Sequence, residues 1–323
     1  MVSGIGGEEG IVAVLGALNW DTTLFVNSFA EPGEEVRVLR VAEGPGGKGG
    51  NVAVAAARIL GRDRVAFIGA TGRDEPGRRL LEGLKAEGVN IAGVAVLEGE
   101  STGHAYIVVD QEGRKTIHTS FGANDAFRPL ELRRRGSTRS IKPSDVVVIM
   151  DVPIPSIVAA AGDSAAAAAK VVLSPGVRCS DGLPNIREAL AVADSIVVNE
   201  GELLTLSEAE TAENAFRRLR GLFPELVVVC TQGKKGALVQ AHGGPRRVPP
   251  IDLSSLGLKA VNSTGSGDAF LAAYSSYRLR GADPMEAAGW GNLAGALKST
   301  RRETRGSLSR SELEKYMRLI GSA

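Results

Sequence analysis

Short apolar runs alternate with helix-forming segments from residue 65 onward, and this alternation constrains the fold more than any other feature. The apolar runs are continuous, which is typical of strands buried on both faces. Alternation of this kind predicts a mostly parallel central sheet covered by helices on both faces, a three-layer α/β/α sandwich. We place strands over 65–68, 146–150, 171–173, 195–198 and 226–230, and helices over 52–60, 76–86, 156–170, 202–207, 212–221, 267–280, 284–298 and 309–320.

An earlier apolar run, 11–15, predicts one more buried strand, and polar side chains follow where it ends. Asn19 and Asp21 come directly after this strand. Ligands of open α/β sheets bind beyond the carboxyl ends of the strands. An amide beside a carboxylate can bind the two hydroxyls of a diol. The two residues are therefore candidate ligand contacts, and the alternative interpretation is a polar cap of the loop.

Two stretches that are remote in sequence, 22–44 and 93–119, differ from the rest of the chain. Each contains alternating apolar and polar residues, as in a strand with one wet face, and the second includes a hairpin turn at 110–113. We expect them to pair as a small β-sheet that forms a lid. The large domain then comprises 1–21, 45–92 and 120–323, and the β lid comprises 22–44 and 93–119.

Composition excludes several classes of protein. The net charge of +1 and the 4% of aromatic residues do not favour binding to nucleic acid or to an anionic membrane. Two cysteines, Cys179 and Cys230, provide neither a disulfide framework nor a zinc site. The chain has no signal peptide and no apolar run of membrane-spanning length, so we expect a cytoplasmic protein.

The segment 261–270, VNSTGSGDAF, combines a glycine turn with a predicted helix start. Gly265 and Gly267 flank Ser266, so the backbone N–H groups stay uncovered where the helix dipole attracts an anion such as phosphate. Asp268 lies in the first turn, where the dipole favours its ionised form. A carboxylate base beside a bound phosphate indicates phosphoryl transfer to an alcohol. The alternative is an ordinary glycine turn.

Three further segments carry candidate ligand contacts. Gly46, Gly47, Lys48 and Asn51 belong to a second glycine turn that precedes the helix over 52–60, and this turn is not a P-loop. Asn199 and Glu202 begin a helix after a strand, where Glu202 suits a magnesium-bound water or simple capping. Residues 231–236 suit a phosphate contact or a hairpin turn.

These motifs, in this order and spacing, resemble the ribokinase-like, or pfkB, carbohydrate kinase family over nearly the whole chain. The segments 99–103 and 122–124 are most similar to those of the ribokinases within the family. The resemblance implies an α/β sandwich with a small β lid that often mediates homodimerisation. It also implies magnesium-dependent transfer of the γ-phosphate of ATP to a sugar hydroxymethyl group, with ribose as the first expected acceptor.

The resemblance assigns roles residue by residue. Asp268 matches the catalytic base, and Glu202 matches the residue linked to magnesium through water. The anion hole is matched by Gly265, Ser266 and Gly267. The sugar contacts are matched by Asn19, Asp21, Gly46, Gly47, Lys48, Asn51 and Asp268, and the ATP contacts by Asn199, Thr231, Gly233, Gly236 and Asn292.

The chain departs from the ribokinase pattern at three places. The turn over 262–268, which carries the expected base, is called the catalytic turn from here on. Asn262 replaces an aspartate at its start, and Glu303-Thr304 replaces a Gly-Ala pair. Both regions help bind a monovalent cation in ribokinases, so we predict weak or absent potassium stimulation. A glutamate that contacts the sugar is also missing, and Asp151 lies in a shifted position.

Other functions remain open at this stage. The acceptor could be fructose 6-phosphate, another sugar or a nucleoside, and Lys48 with Arg37 or Arg40 could then bind a phosphate group. A sugar-binding regulator without catalysis is the alternative from another class. Retention of Asp268 and Glu202 speaks against it, because a regulator needs no base.

Overall fold

The computed structural model describes residues 10–128 and 141–321. The sequence also predicts a loose tail over residues 1–10, and residues 1–9 lie outside the described part of the chain. The strands in chain order are β1 Val12–Leu15, β2 Asn19–Val26, β3 Val38–Gly46, β4 Val65–Gly72, β5 Asn90–Leu97, β6 Gly103–Val109, β7 Lys115–Ser120, β8 Val146–Met150, β9 Lys170–Ser174, β10 Ser195–Asn199, β11 Val227–Thr231, β12 Ala237–Gln240 and β13 Arg246–Val248. The helices are α1 Lys48–Leu60, α2 Glu75–Ala86, α3 Ala123–Ala126, α4 Ile154–Ala166, α5 Leu183–Val192, α6 Glu200–Ser207, α7 Ala212–Leu222, α8 Ser266–Leu279, α9 Pro284–Ser299 and α10 Arg310–Gly321.

The larger sheet has nine strands in the order β13-β12-β11-β10-β9-β8-β1-β4-β5. All neighbours from β11 to β5 pair in parallel, and β12 and β13 extend the sheet antiparallel. Strand β1 shows why its apolar run is continuous. Val12 and Val14 pack into one hydrophobic cluster, whereas Ala13 and Leu15 pack into the other. Each face of the sheet is thus covered by helices, and the predicted three-layer α/β sandwich is confirmed.

Local sequence signals explain several helix boundaries, and two predicted boundaries differ from the structure by four residues. Helix α9 begins after Asp283, whose carboxylate accepts the N–H groups of two following residues. Helix α4 ends at Ala166 rather than at 170, because the chain turns through a left-handed residue, Ala168, into β9. Helix α1 begins at Lys48, four residues before the predicted start at 52. Helix α5 and the antiparallel pair β12–β13 were not predicted.

The smaller sheet, called the lid sheet from here on, has the order β3-β2-β6-β7. Strand β2 pairs antiparallel with β3 and parallel with β6, so the two remote stretches form one sheet as predicted. The predicted boundaries of the lid, 22–44 and 93–119, differ from the structure at two places. Strand β5 pairs with β4 in the larger sheet, which removes 93–97 from the lid sheet, and β2 begins at Asn19 rather than at 22.

Within 10–128 and 141–321, no helix combines the length and the apolar character that crossing a bilayer requires. Cys179 and Cys230 are both buried free thiols, and burial raises the pKa of each to about 12. The two thiols therefore behave as small apolar groups of the core.

Candidate active site

The glycine turn lies where helix α8 begins. Gly265 is the N-cap, with a φ of 81° that favours glycine. A Cβ atom at this position would lie 2.6 Å from the carbonyl oxygen of Thr304, so the turn is pressed against the 300–305 loop. A Cβ atom at Gly267 would meet no described atom within 4 Å. The N–H of Ser266 donates to the carbonyl of Ser263 at 3.0 Å, so the open space beside Gly267 is the part of this helix start that could accommodate an anion.

Asp268 lies in the first turn of α8 and contacts the second glycine turn. Its Oδ2 accepts a hydrogen bond of 2.8 Å from Nδ2 of Asn51. Burial raises the pKa of Asp268 to about 6, against the hydrogen bond from Asn51 and the positive charge of Lys48, which lower it. The carboxyl group is thus ionised at neutral pH and more basic than an exposed aspartate, as a general base requires.

The amide of Asn51 is oriented by Arg305, a residue that the sequence reasoning missed. Arg305 Nε donates to Asn51 Oδ1 at 3.0 Å, and its Nη2 donates to the carbonyl of Gly46 at 3.1 Å. Because the guanidinium only donates, the amide oxygen of Asn51 must face it and the NH₂ group must face Asp268. Arg305 therefore connects the 300–305 loop to the base through one amide.

The end of β1 and the start of β2 bring Asn19 and Asp21 to the same place. Asn19 Oδ1 accepts from the buried Asn124 Nδ2 at 2.9 Å. Burial raises the pKa of Asp21 to about 6, opposed by the positive charge of Arg305. Asp21 Oδ1 is buried without a hydrogen-bond partner among the described residues. The glycine at position 46 leaves room for this carboxylate, since a Cβ atom there would lie within 2.2 Å of it.

Gly47 explains why the second turn needs glycine. Its φ is 81°, and a Cβ atom would lie 2.6 Å from both the carbonyl oxygen of Ala17 and the amide nitrogen of Asn19. The turn therefore packs directly on the backbone that carries Asn19, and α1 begins immediately afterwards. This close approach brings the predicted sugar contacts together beside Asp268, namely Asn19, Asp21, Gly46, Gly47 and Asn51. The space that they border is called the sugar cleft from here on.

Lys48 also faces the cleft but is held by carboxylates. Its Nζ lies 3.2 Å from Asp151 Oδ2 and 3.8 Å from Glu202 Oε1. Burial lowers the pKa of Lys48, but Asp151 and Glu202 together outweigh burial and raise it. Asp151, in a left-handed conformation, also accepts the N–H of Val177 at 3.1 Å. The ion pair with Lys48 therefore links Asp151 to the predicted sugar contacts.

Asn199 and Glu202 form a capping box at the start of α6, which is the alternative considered for these residues. Glu202 Oε2 accepts the N–H of Asn199 at 3.0 Å, and Oε1 faces Lys48. No group of three or more acidic, histidine or cysteine side chains within the described residues is arranged to hold a metal ion. A magnesium ion here would therefore have Glu202 as its nearby protein carboxylate, with phosphate oxygens and water as its other ligands.

A cavity of about 690 Å³ adjoins the other side of the catalytic turn. Four of the predicted ATP contacts lie in its wall, and Asn199 does not. Asn292 supports the wall by donating to the carbonyls of Val248 and Pro249 at 3.2 and 2.9 Å. The lining of the cavity includes Thr231, Gly233, Gly236, Ser266, Gly267, Phe270 and Asn292. The cavity thus meets the predicted sugar cleft at the catalytic turn.

The lid sheet contacts the catalytic turn through the side chain of Lys115. Lys115, at the start of β7, donates from Nζ to Thr264 Oγ1 at 3.1 Å. The contact brings a positive charge from the lid sheet to the catalytic turn. Nothing in the sequence pattern around Lys115 indicated this contact.

The profile described as pfkB family carbohydrate kinase matches residues 11–310. The bifunctional ribokinase/ribose-5-phosphate isomerase A of Fructilactobacillus sanfranciscensis is 31% identical over 273 residues, which cover 82% of this chain and 48% of that protein. The chain thus spans about half the length of this relative.

Two other relatives match over most of their length. The ATP-dependent ribose-1-phosphate kinase of Halopiger xanaduensis is 30% identical, covering 90% of this chain and 92% of that protein. The ribokinase of Staphylococcus aureus is also 30% identical, covering 88% and 92%. The crystal structure of ribokinase from Thermotoga maritima superposes with a TM-score of 0.82 at 26% identity, covering 95% of this chain and 99% of that one.

Proposed function

The chain belongs to the pfkB family of carbohydrate kinases, and on that premise we propose that it phosphorylates ribose with ATP to give ribose 5-phosphate. The ATP-dependent sugar kinase activity follows from the family, and ribose is the acceptor named by several relatives. One observation carries the proposal: the carboxylate of Asp268 contacts Asn51, a predicted sugar contact, and the preceding residue, Gly267, lines the cavity of about 690 Å³.

The proposed reaction uses groups of the chain itself. Asp21 and Asn51 bind hydroxyl groups of the sugar, and Asn51 occupies Oδ2 of Asp268, which leaves Oδ1 for the hydroxymethyl group. The hydroxyl proton passes to Asp268 as the sugar oxygen forms a bond to the γ-phosphorus. The bond from this phosphorus to the bridging oxygen breaks, and ADP leaves. The N–H groups at Gly265–Gly267 stabilise the charge that develops on the phosphoryl oxygens.

Magnesium and a cytoplasmic location belong to the same proposal. Glu202 would hold the ion through water, and the ion would supply neutralisation of phosphate charge when bound. We therefore expect turnover to require magnesium. The location rests on the sequence alone and stays a prediction.

A coupled assay tests the acceptor directly. ADP release is measured with ATP and magnesium against ribose, deoxyribose, fructose, ribose 1-phosphate, fructose 6-phosphate and nucleosides. We expect the highest kcat/KM with ribose. Turnover on none of these acceptors, by a protein that still binds ATP, would favour the non-catalytic sugar-binding regulator instead.

Arg305 favours a second candidate, a phosphorylated pentose such as ribose 1-phosphate. Its guanidinium lies beside Asp21 in the acceptor cleft, and burial lowers its pKa to about 10, so it stays charged at neutral pH. Guanidinium groups bind phosphate well. The Halopiger relative is named as a ribose-1-phosphate kinase. The guanidinium of the lid arginine Arg40 lies 3.7 Å above the ring of Phe25, and its part in phosphate binding stays a prediction.

The substitution Arg305→Gln separates the two candidates. With ribose, we expect KM to rise by roughly tenfold, because Asn51 loses a charge-assisted hydrogen bond. With a phosphorylated pentose, KM should rise by about a hundredfold, because the phosphate loses its cation as well. Steady-state kinetics on both acceptors measures the difference. Arg301→Gln, in the same loop but paired with Glu312, is the matched control and should change neither KM.

We further propose that the lid sheet mediates a homodimer. Val41 and Tyr106 are 54% and 48% exposed. Their registered partners Leu24 and Thr22 place both residues on one face of the sheet, the face opposite to Asp21 and Ile117. An exposed apolar patch on a sheet with unpaired edges favours association with a second copy.

Val41→Lys should convert this dimer into a monomer. Burial of a lysine charge opposite an apolar surface costs several kcal/mol, on the order of the stability of a small interface. Sedimentation velocity measures the change in mass. Val192→Lys, at a valine of comparable exposure at the end of α5, should remain dimeric. A wild-type protein that sediments as a monomer at micromolar concentration contradicts the proposal.

A further inference from the structure

Lys298 is a buried charge that the proposed reaction does not use. It lies near the end of α9 and has a relative exposure of 0%. Lysine is almost never fully buried unless its charge is compensated. Its Nζ donates to the backbone carbonyl of Asn262 at 3.0 Å. This carbonyl belongs to the catalytic turn, so the ammonium group lies directly behind the anion-binding backbone.

The carboxylates around Lys298 offset only part of the effect of its burial, and its pKa stays lowered. Burial lowers the pKa of Lys298, while the carboxylates of Asp268 and Glu303 raise it and Lys115 lowers it further. In turn, the positive charge of Lys298 lowers the pKa of Asp268. Two of the attracting or accepting groups, Asn262 and Glu303, are positions where the chain departs from the ribokinase pattern. Two of the three departures from the ribokinase pattern thus lie near the ammonium group of Lys298.

The turn itself is tied to the segment that follows Lys298. Asn262 donates from Nδ2 to the carbonyl of Arg302 at 2.7 Å and accepts the N–H of Thr264 at 3.0 Å. Its backbone N–H donates to the carbonyl of Ser299 at 2.9 Å. An aspartate at 262 could not donate to the carbonyl of Arg302. The carbonyl groups of Asn262, Ser299 and Arg302 therefore lie in the region between α9 and the turn, where a positive charge is stabilising.

We propose that Lys298 is a positioning residue that serves as a built-in monovalent cation behind the catalytic turn. Its ammonium group holds the carbonyl of Asn262, keeps the Gly265–Gly267 backbone in place and offsets negative charge at Asp268 and at the transferred phosphate. The enzyme therefore needs no exchangeable potassium ion. The inference rests on the proposed kinase activity for its kinetic consequences but not for its effect on folding.

The wild-type protein provides the first test. We expect kcat to change by less than about twofold when choline chloride is replaced by potassium chloride at constant ionic strength, which keeps screening equal. The thermal midpoint should also be equal in the two salts, because no potassium site stabilises the folded state. Activation by tenfold or more, or a clear upward shift of the midpoint in potassium, overturns the proposal.

Substitution of Lys298 provides the second test. Lys298→Ala leaves space where the ammonium was, and kcat should fall by about 10²-fold, as expected for a misplaced turn. Potassium or ammonium ions, but not choline, should then restore part of kcat and raise the thermal midpoint. Lys298→Met fills the space, so its loss should not be rescued. In Lys298→Met the acid limb of the pH profile should move to higher pH, because Asp268 loses a positive neighbour.

Lys170→Ala is the matched control. Lys170 also donates to a backbone carbonyl, that of Arg278 at 3.4 Å, at the opposite end of the strands. Its substitution should create no response to potassium.

If Lys298→Ala does not fold, the wild-type salt comparison decides the question alone. If the wild type phosphorylates no acceptor but the thermal response to potassium appears only in Lys298→Ala, the proposed function fails and this inference holds. A variant that responds equally to potassium and choline refutes it.

Discussion

Asp268→Asn is expected to lower turnover by about 10²–10⁴-fold, the usual contribution of general-base catalysis. The substitution keeps the size of the side chain and removes its basicity. Affinity for sugar and ATP should change much less, because Asn19, Asp21 and the backbone of the catalytic turn remain. An ordinary glycine turn without catalytic function predicts the opposite: unchanged turnover and a small loss of stability from a weaker interaction with the helix dipole.

Steady-state kinetics with a thermal melt on the purified variant separates these outcomes. Asp283→Asn is a matched control, because Asp283 is also a carboxylate at a helix start and asparagine caps helices equally well. It should leave both turnover and melting unchanged. If Asp268→Asn keeps most of its turnover, Asp268 is not the base, and the main support for the proposed mechanism is lost.

The pH dependence of turnover provides a second signature of Asp268. Since burial raises its pKa to about 6, the base is protonated below that pH and kcat should fall about tenfold per pH unit. The residual activity of Asp268→Asn should lack this acid limb. Asp21, whose pKa is also about 6, binds the acceptor and should affect kcat/KM in the same range in both proteins.

Gly265→Ala should produce the second large effect, a loss of turnover of about 10²–10³-fold, comparable to removal of an oxyanion-hole donor. The residue has a φ of 81°, and a Cβ atom would lie 2.6 Å from the backbone carbonyl of Thr304. Backbone on both sides must shift, and the N–H groups that face the γ-phosphate move with it. Single-turnover kinetics at saturating ATP measures the loss separately from nucleotide binding.

Gly281→Ala isolates the effect of backbone conformation from that of the close contact. Gly281 has a φ of 92°, but a Cβ atom there meets no described atom within 4 Å. This control should lose about 1 kcal/mol of stability and keep its turnover. Equal losses of turnover in the two variants would show that the contact with Thr304 does not position the anion site.

Much of the fold was predictable because its signals are local. Continuous apolar runs indicated strands buried on both faces, and the packing of Val12 and Val14 on one side and of Ala13 and Leu15 on the other confirms the reason. The wrong boundaries have a different cause. Residues 93–97 carry no alternation of their own and are predicted to join the lid with the hairpin that follows them, yet they pair with β4. Strand pairing depends on the partner, which alternation does not identify.

The candidate site shows the same division. The glycine turns, Asn51 and Asp268 stood out because glycine spacing before a helix is visible in the sequence. Lys115, Lys298 and Arg305 did not stand out, since lysine and arginine in polar segments are usually solvated. Each reaches the site from a distant element: Lys115 from the lid sheet, Lys298 from α9 and Arg305 from the loop beyond it.

The layers of the fold, the two glycine turns and the carboxylate beside them could be predicted, because they depend on hydrophobic periodicity and on backbone freedom within a few residues. The cations that contact these groups depend instead on how distant elements pack together. Arg305 contacts Asn51 across 254 residues, and Lys298 contacts Asn262 across 36. Such pairs form when packing removes water from both partners, and burial then makes each charge depend on the neighbour that the fold supplies.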